Sequence, residues 1–148
     1  MSDDMKLIRF YLVLLAIFTV GRWGLSLAGA DYDKTHQVFS IVILTNISAA
    51  YYGLLVRGFV GGGVKRAIVL GASLAVASQV VIFASTALSY LLGMHTFFNH
   101  PQALNAEQAV PFGQAMVGRT ITFVANVITN IVAGALGWLI AGVVPRRA

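Results

Sequence analysis

Long apolar stretches broken by short polar or glycine-rich segments set the pattern of this chain. They cover residues 7–29, 37–59, 67–94 and 117–144. Each exceeds the about 20 helical residues that a bilayer core requires. The last stretch carries no charge after Arg119, and Asn126 and Asn130 stand four residues apart near its middle. That spacing puts both amides on one helix face. A polar side chain facing hydrocarbon without a partner is costly, so this face must look at protein or water. The pattern predicts an all-α fold, a polytopic four-helix transmembrane bundle forming a single domain over residues 1–148.

The breaks between stretches predict the connections. Residues 30–36, ADYDKTH, form a polar hairpin loop. Gly61, Gly62 and Gly63, followed by Lys65 and Arg66, form a tight basic turn. A phosphate-binding loop would need a preceding strand and a G-K-[ST] ending, which this segment lacks. The third stretch, at 28 residues, exceeds the bilayer thickness and is expected to tilt or project. One long outer loop, residues 95–118, joins it to the fourth. Within that loop, Pro101 suits the first position of a short helix, with Asn99 or His100 as its cap. Phe97, Phe98 and Phe112 are expected at the membrane interface. The first stretch also has features of a signal peptide, with Lys6 and Arg9 ahead of an apolar run and Ala28-Gly29-Ala30 behind it. Arg22 and Trp23 interrupt what would be the cleavage region, so a true first span is expected.

Composition agrees with the pattern. The chain is 58% hydrophobic and 10% charged, against about 25% charged in soluble domains. Its mean hydropathy is +0.82. It contains no cysteine, so disulfides, thiolate metal sites and thiol chemistry are excluded. The net charge of +5 does not point to nucleic acid, because the basic residues flank the apolar spans. Lys6, Arg9, Arg57, Lys65, Arg66, Arg146 and Arg147 fall on one side, and Arg22, Lys34 and Arg119 on the other. The positive-inside rule then places both termini in the cytoplasm and the protein in the cell (inner) membrane, with the long loop outside.

Several polar residues fall inside the expected spans. The third span carries Gly71, Ala75, Ser78, Ile82, Ser85, Ser89 and Gly93 at spacings of three or four. Such a stripe of small residues suits close helix packing. The fourth has Ala133, Gly137 and Ala141. Asn46, Gln79, Asn126 and Asn130 sit in the middle third of their spans, with Thr122 nearby. They are expected either to bond to one another or to line a neutral polar pocket. Arg22 is the deepest charge and adds a candidate ligand contact. Asp31 and Asp33 are its expected ion-pair partners, and Arg119 is expected to share those acids or Glu107. His36, His95 and His100 all fall at the outer boundary. With Asp31 and Asp33 they make a weak candidate metal site, since imidazole and carboxylate suit several transition metals. No histidine lies within a span to ligate a haem, and no cofactor is expected.

Three functional readings follow. The first is a non-enzymatic binding or transport module, homo-oligomeric, with an amide-lined intramembrane site for a small solute or lipid headgroup. The second is an accessory subunit whose small-residue faces dock other membrane proteins. The third is a metal-dependent enzyme working through the outer histidines. Membrane lipids, further copies of the chain or other membrane subunits are the expected partners.

Overall fold

The computed structural model describes residues 3–143, without the side chains of residues 3–5 and 7. Arg146 and Arg147, used in the orientation argument, and Val144, the end of the fourth expected span, lie outside the described residues. The elements are α1 (Asp3–Leu27), α2 (Tyr32–Thr35), α3 (Ile41–Leu55) with a π-helical continuation (Val56–Val60), α4 (Val64–Leu91), a 3-10 turn (Pro101–Leu104) and α5 (Phe112–Val143). No strand occurs among the described residues. Four helical segments are long and apolar enough to cross a membrane: Ile8–Leu27, Ile41–Val60, Val64–Leu91 and Phe112–Val143.

Local chemistry explains where the ends differ from the hydropathy pattern. Residues 37–40 are not helical, because Asp31 caps the short α2 and Ser40 caps α3. Between them Phe39 takes a φ of 53°, rare for a bulky residue. Its ring then lies against Gly21 of α1, where a Cβ would approach the ring to 2.7 Å. Gly61, at φ 70°, ends the π-helical turn, and extended Gly63 starts α4 three residues before the apolar run suggests. Residue 112 starts α5, immediately after Pro111, so Arg119 lies two turns inside the helix rather than at its end. The 3-10 turn has Pro101 in its first turn and His100 at its N-cap, without a side-chain capping bond.

The helices alternate in direction. One end of the bundle carries residues 28–40 and 92–111, here the upper end; the glycine turn marks the lower end. Helix α4 is central. It packs against α1, α3 and α5, whereas α1 does not touch α5. The small-residue stripe is buried through Gly71, Ala75, Ser78, Ile82, Ser85 and Ser89. Gly93 does not belong to it: it is exposed, at φ 63°, just past the end of α4. Tyr11 ties three helices together. It is fully buried, its hydroxyl donates to the Leu74 carbonyl at 3.1 Å, and Thr45 Oγ1 lies 2.9 Å away.

The lower half of α5 sits unusually close to its neighbours. A Cβ at Gly71 would fall on the Asn130 carbonyl, one at Gly53 on the Gly134 carbonyl, and one at Gly137 on the Ala50 carbonyl. A Cβ at Gly134 would come within 2.7 Å of the Ala67 carbonyl. Backbone thus meets backbone along both the α3–α5 and α4–α5 seams, a contact that only small residues allow. Below this seam Arg57 lies 4.0 Å from the Trp138 ring centre, and Trp138 Nε1 donates to the Gly62 carbonyl at 2.8 Å. Large apolar side chains such as Ile121, Val124, Ile128 and Val132 point away from the bundle.

Gly137→Ala should lower the thermal stability of the protein in detergent, by about 1–3 kcal/mol, because the added methyl meets backbone that cannot move aside. Ala75→Leu, at a fully buried position of the stripe, should act in the same direction. Gly24→Ala, where nothing lies within 4 Å, should leave the melting temperature unchanged. Equal melting temperatures for all three variants and the parent would show that α5 does not pack this closely.

Candidate binding site

Two arginines that the sequence places about a hundred residues apart meet at the upper end. Arg22 comes from α1 and Arg119 from α5, the two helices that do not pack on each other. Both line a cavity of about 190 Å³, with Tyr32, His36, Ser40, Ile41, Val42, Ile82, Phe97, Phe98 and Ala103.

Neither guanidinium finds the acid expected for it. Arg22 Nη1 donates to the His36 carbonyl at 3.0 Å, and its guanidinium carbon lies 5.5 Å from the Phe97 ring centre and 5.6 Å from that of Phe98. Arg119 Nε donates to Thr86 Oγ1 at 3.0 Å, and its Nη2 donates to the Phe98 carbonyl at 2.6 Å. Asp31 pairs instead with Lys34 at 3.3 Å, on an exposed face. Among the described residues, no carboxylate lies within ion-pair distance of Arg22 or Arg119. The geometry of the loops causes this. Asp31 caps α2 by accepting from the Asp33 N–H at 3.0 Å, which fixes it at the surface. Main-chain carbonyls and aromatic faces are then what the guanidiniums meet.

The loop after α4 supplies those partners. Thr96, Phe97 and Phe98 are all buried, so the two phenylalanines are part of the core rather than interface anchors. Phe98 packs against Trp23, whose Nε1 donates to Ser85 Oγ at 3.3 Å. Phe97 N–H donates to Ser26 Oγ at 2.9 Å. Asn99 holds the bend by accepting from the Thr96 N–H and donating to the Met94 carbonyl. Thr86 completes the arrangement, since its hydroxyl lies 2.8 Å from the Ile82 carbonyl and 3.2 Å from that of Phe98.

The histidines act as ring partners at this end. His100 stacks on Tyr32 at 4.0 Å and 7°, and His36 lies against the same tyrosine at 5.6 Å. Burial pushes the His100 pKa below its ordinary value, against a smaller opposing pull from Asp33. His95 and His100 border an adjoining cavity of about 260 Å³ with Ser26 and Thr96. Among the described residues, no group of three or more histidines or acids stands together as a metal-binding set.

The amides do not bond to one another, which was one of the two arrangements expected of them. Asn126 Nδ2 donates to the Thr122 carbonyl at 2.9 Å, and Asn130 Nδ2 donates to the Asn126 carbonyl at 2.8 Å. Thr122 likewise donates back, to Gly118 and Arg119. Each side chain of this row donates to the preceding turn of its own helix. The row Arg119, Thr122, Asn126, Asn130 runs down one face of α5, and its last member is buried. Asn130 Oδ1 and Asn46 Oδ1 are both buried without a hydrogen-bond partner. Helices α3 and α5 run parallel, and Gly134 and Gly137 meet Ala49 and Ala50. Asn130 is one turn above Gly134 and Asn46 one turn above Ala49 and Ala50, so the orphan oxygens stand at the same level. Gln79 is buried on α4.

Of the residues singled out from sequence, the structure thus gathers Arg22 and His36 at one cavity, and Thr122, Asn126 and Asn130 on one face beneath Arg119. Arg119 had been expected only as an ion-pair member, and Thr86 and Phe98 were not singled out as polar partners. Comparison with protein-family models, with curated proteins and with solved structures gives no match.

Thr86→Val should destabilise the protein by about 1–3 kcal/mol, because it strips a hydrogen bond from a largely buried guanidinium and leaves that donor unpaired. Thr86→Ser, which keeps the hydroxyl, should stay near the parent. Thermal unfolding in detergent checks this, and equal losses for valine and serine would assign the effect to packing alone.

Proposed function

We propose that this is a multi-pass inner-membrane protein, with both termini cytoplasmic, that works as a non-enzymatic binding or transport module. Its site is the polar face of α5 below Arg119, and its ligand is a small polar solute or a lipid headgroup. The observation that carries this reading is the pair of buried, unpartnered amide oxygens, Asn46 Oδ1 and Asn130 Oδ1. A buried acceptor left without a donor costs about 1–3 kcal/mol. Two at one level of a small bundle favour a place where a donor, from a ligand or from water, completes the bonds.

The back-bonded row supports the same reading. Asn126 and Asn130 each spend one N–H on their own helix, which leaves the amide oxygen as the acceptor that each offers beside its second N–H. Such a lining is neutral and rich in acceptors, and it suits a solute carrying hydroxyl or amine donors. A single chain of four spans is thin for a complete solute path, so the transport form of this reading calls for several copies side by side in the membrane. The accessory-subunit reading draws on the exposed apolar surface of α5, which would equally face lipid.

The naturally cysteine-free chain allows a direct test. Single cysteines at Thr122, Asn126 and Ile128 are treated in intact cells with a membrane-impermeant anionic thiosulfonate, which reacts with ionised thiols in water and not in lipid. Positions 122 and 126 should be modified from outside, and position 128 on the outward apolar face should stay silent. A cysteine at Gly63 should be protected on the cytoplasmic side. Equal inertness at 122, 126 and 128 would refute a water-accessible polar face, and strong labelling of position 63 from outside would reverse the topology.

A further inference from the structure

We infer that the cavity between Arg22 and Arg119 is a binding site for the phosphate group of an inorganic phosphate or a phospholipid. This goes beyond the amide reading, since it needs only the cavity and holds whether or not Asn46 and Asn130 receive a solute.

The first argument is charge. Arg22 and Arg119, from non-adjacent helices, line one partly open cavity of about 190 Å³, and no carboxylate among the described residues neutralises either of them. Like charges drawn together beside partly buried protein repel more strongly than in bulk water. The carbonyls of His36 and Phe98 and the Phe97 and Phe98 rings moderate that repulsion but carry no net charge. A bound anion would remove it.

The second argument is unspent donors. A guanidinium has five N–H groups. Arg22 commits one of them to the His36 carbonyl and has the Tyr32 hydroxyl within hydrogen-bonding reach of another, and Arg119 commits two, to Thr86 and Phe98. The committed bonds hold each guanidinium in place, and most of the remaining donors are uncommitted. Fixed, pre-oriented arginines bind oxyanions better than mobile ones, because less side-chain freedom is lost on binding.

The third argument is shape. Donors reach the cavity from α1, from α5 and from Ser40 at the start of α3. The Ser40 oxygen accepts only a long contact of 3.5 Å from Ile43 N–H, which leaves its O–H able to donate. Convergence from three helices matches a tetrahedral oxyanion, whose oxygens point in different directions. A carboxylate is planar and is best served by one bidentate arginine. Apolar Ile41, Val42 and Ile82 form another part of the wall, which suits a phosphate attached to a lipid.

Trp23 supplies a local signal, because it packs on Phe98 and bonds Ser85 beside the cavity, while Trp138 reports from the opposite end. The full chain in a phosphate-free maltoside detergent is titrated with inorganic phosphate and, separately, with short-chain phosphatidylglycerol. Chloride at equal ionic strength and the matching diacylglycerol serve as controls. We expect a saturable change in tryptophan emission, weakened about tenfold or more in Arg22→Gln and in Arg119→Gln, as the loss of charged hydrogen bonds requires. Lys65→Gln, an exposed change at the lower end, should bind like the parent. A response to inorganic phosphate assigns the site to the free ion, and a response to phosphatidylglycerol alone assigns it to a lipid; either upholds the inference. If a glutamine variant does not fold, the parent protein decides. No saturable change beyond the chloride and diacylglycerol controls, or equal binding by folded glutamine variants, would overturn it.

Discussion

The close approach of α5 to α3 and α4 is the constraint on which the rest of this bundle depends. Where Gly53, Gly71, Gly134 and Gly137 let backbones touch, no side chain fits between the helices. Between helices that cross a bilayer, association cannot draw on expulsion of water, and packing of this kind supplies the attraction. The close approaches at glycines lie in the lower half of α5. Above it, Ser40–Val42 and Arg119 stand on opposite walls of a cavity.

That geometry sorts the polar residues by depth. Within the seam they donate locally, as when Asn130 Nδ2 bonds the preceding turn while its backbone lies on Gly71 and its Oδ1 stays unpartnered. At the open end the long arginines reach across from α1 and α5 to a shared space that their helices do not close. The loop after α4 folds inward to meet them, with Thr96, Phe97 and Phe98 buried and the Phe98 carbonyl accepting from Arg119. Tyr11 performs the corresponding task lower down, joining α1 to α3 and α4 through its hydroxyl. The bundle thus pairs its buried donors largely with main-chain carbonyls, which is the cheapest way to bury them without acids.

The four long helices were legible because hydropathy over twenty residues is a strong signal, and the small-residue stripe because its spacing matches a helix. Helix ends were less so, since Ser40, Gly63 and Pro111 act through caps and turns that hydropathy does not register. Side-chain partners were the least legible. Asp31 and Asp33 are near Arg22 in sequence, yet capping holds Asp31 at the surface. Glu107 is exposed and does not pair with Arg119 among the described residues. Amide-to-amide bonding seemed the cheapest solution from composition, but asparagine can bond its own helix one turn back. That local option carries no signature beyond the spacing of four that Thr122, Asn126 and Asn130 share. The meeting of Arg22 with Arg119 depends on the inward path of residues 95–111, which no local pattern encodes.

An electron cryomicroscopy map of the protein in phospholipid nanodiscs, with a rigid binder to add mass, tests the central claim most directly. It should show α3 and α5 touching at Gly134 and Gly137, with both guanidiniums facing one cavity and non-protein density within reach of them. Helices packed shut up to Arg119, or Asp31, Asp33 or Glu107 seated between the two arginines, would contradict it.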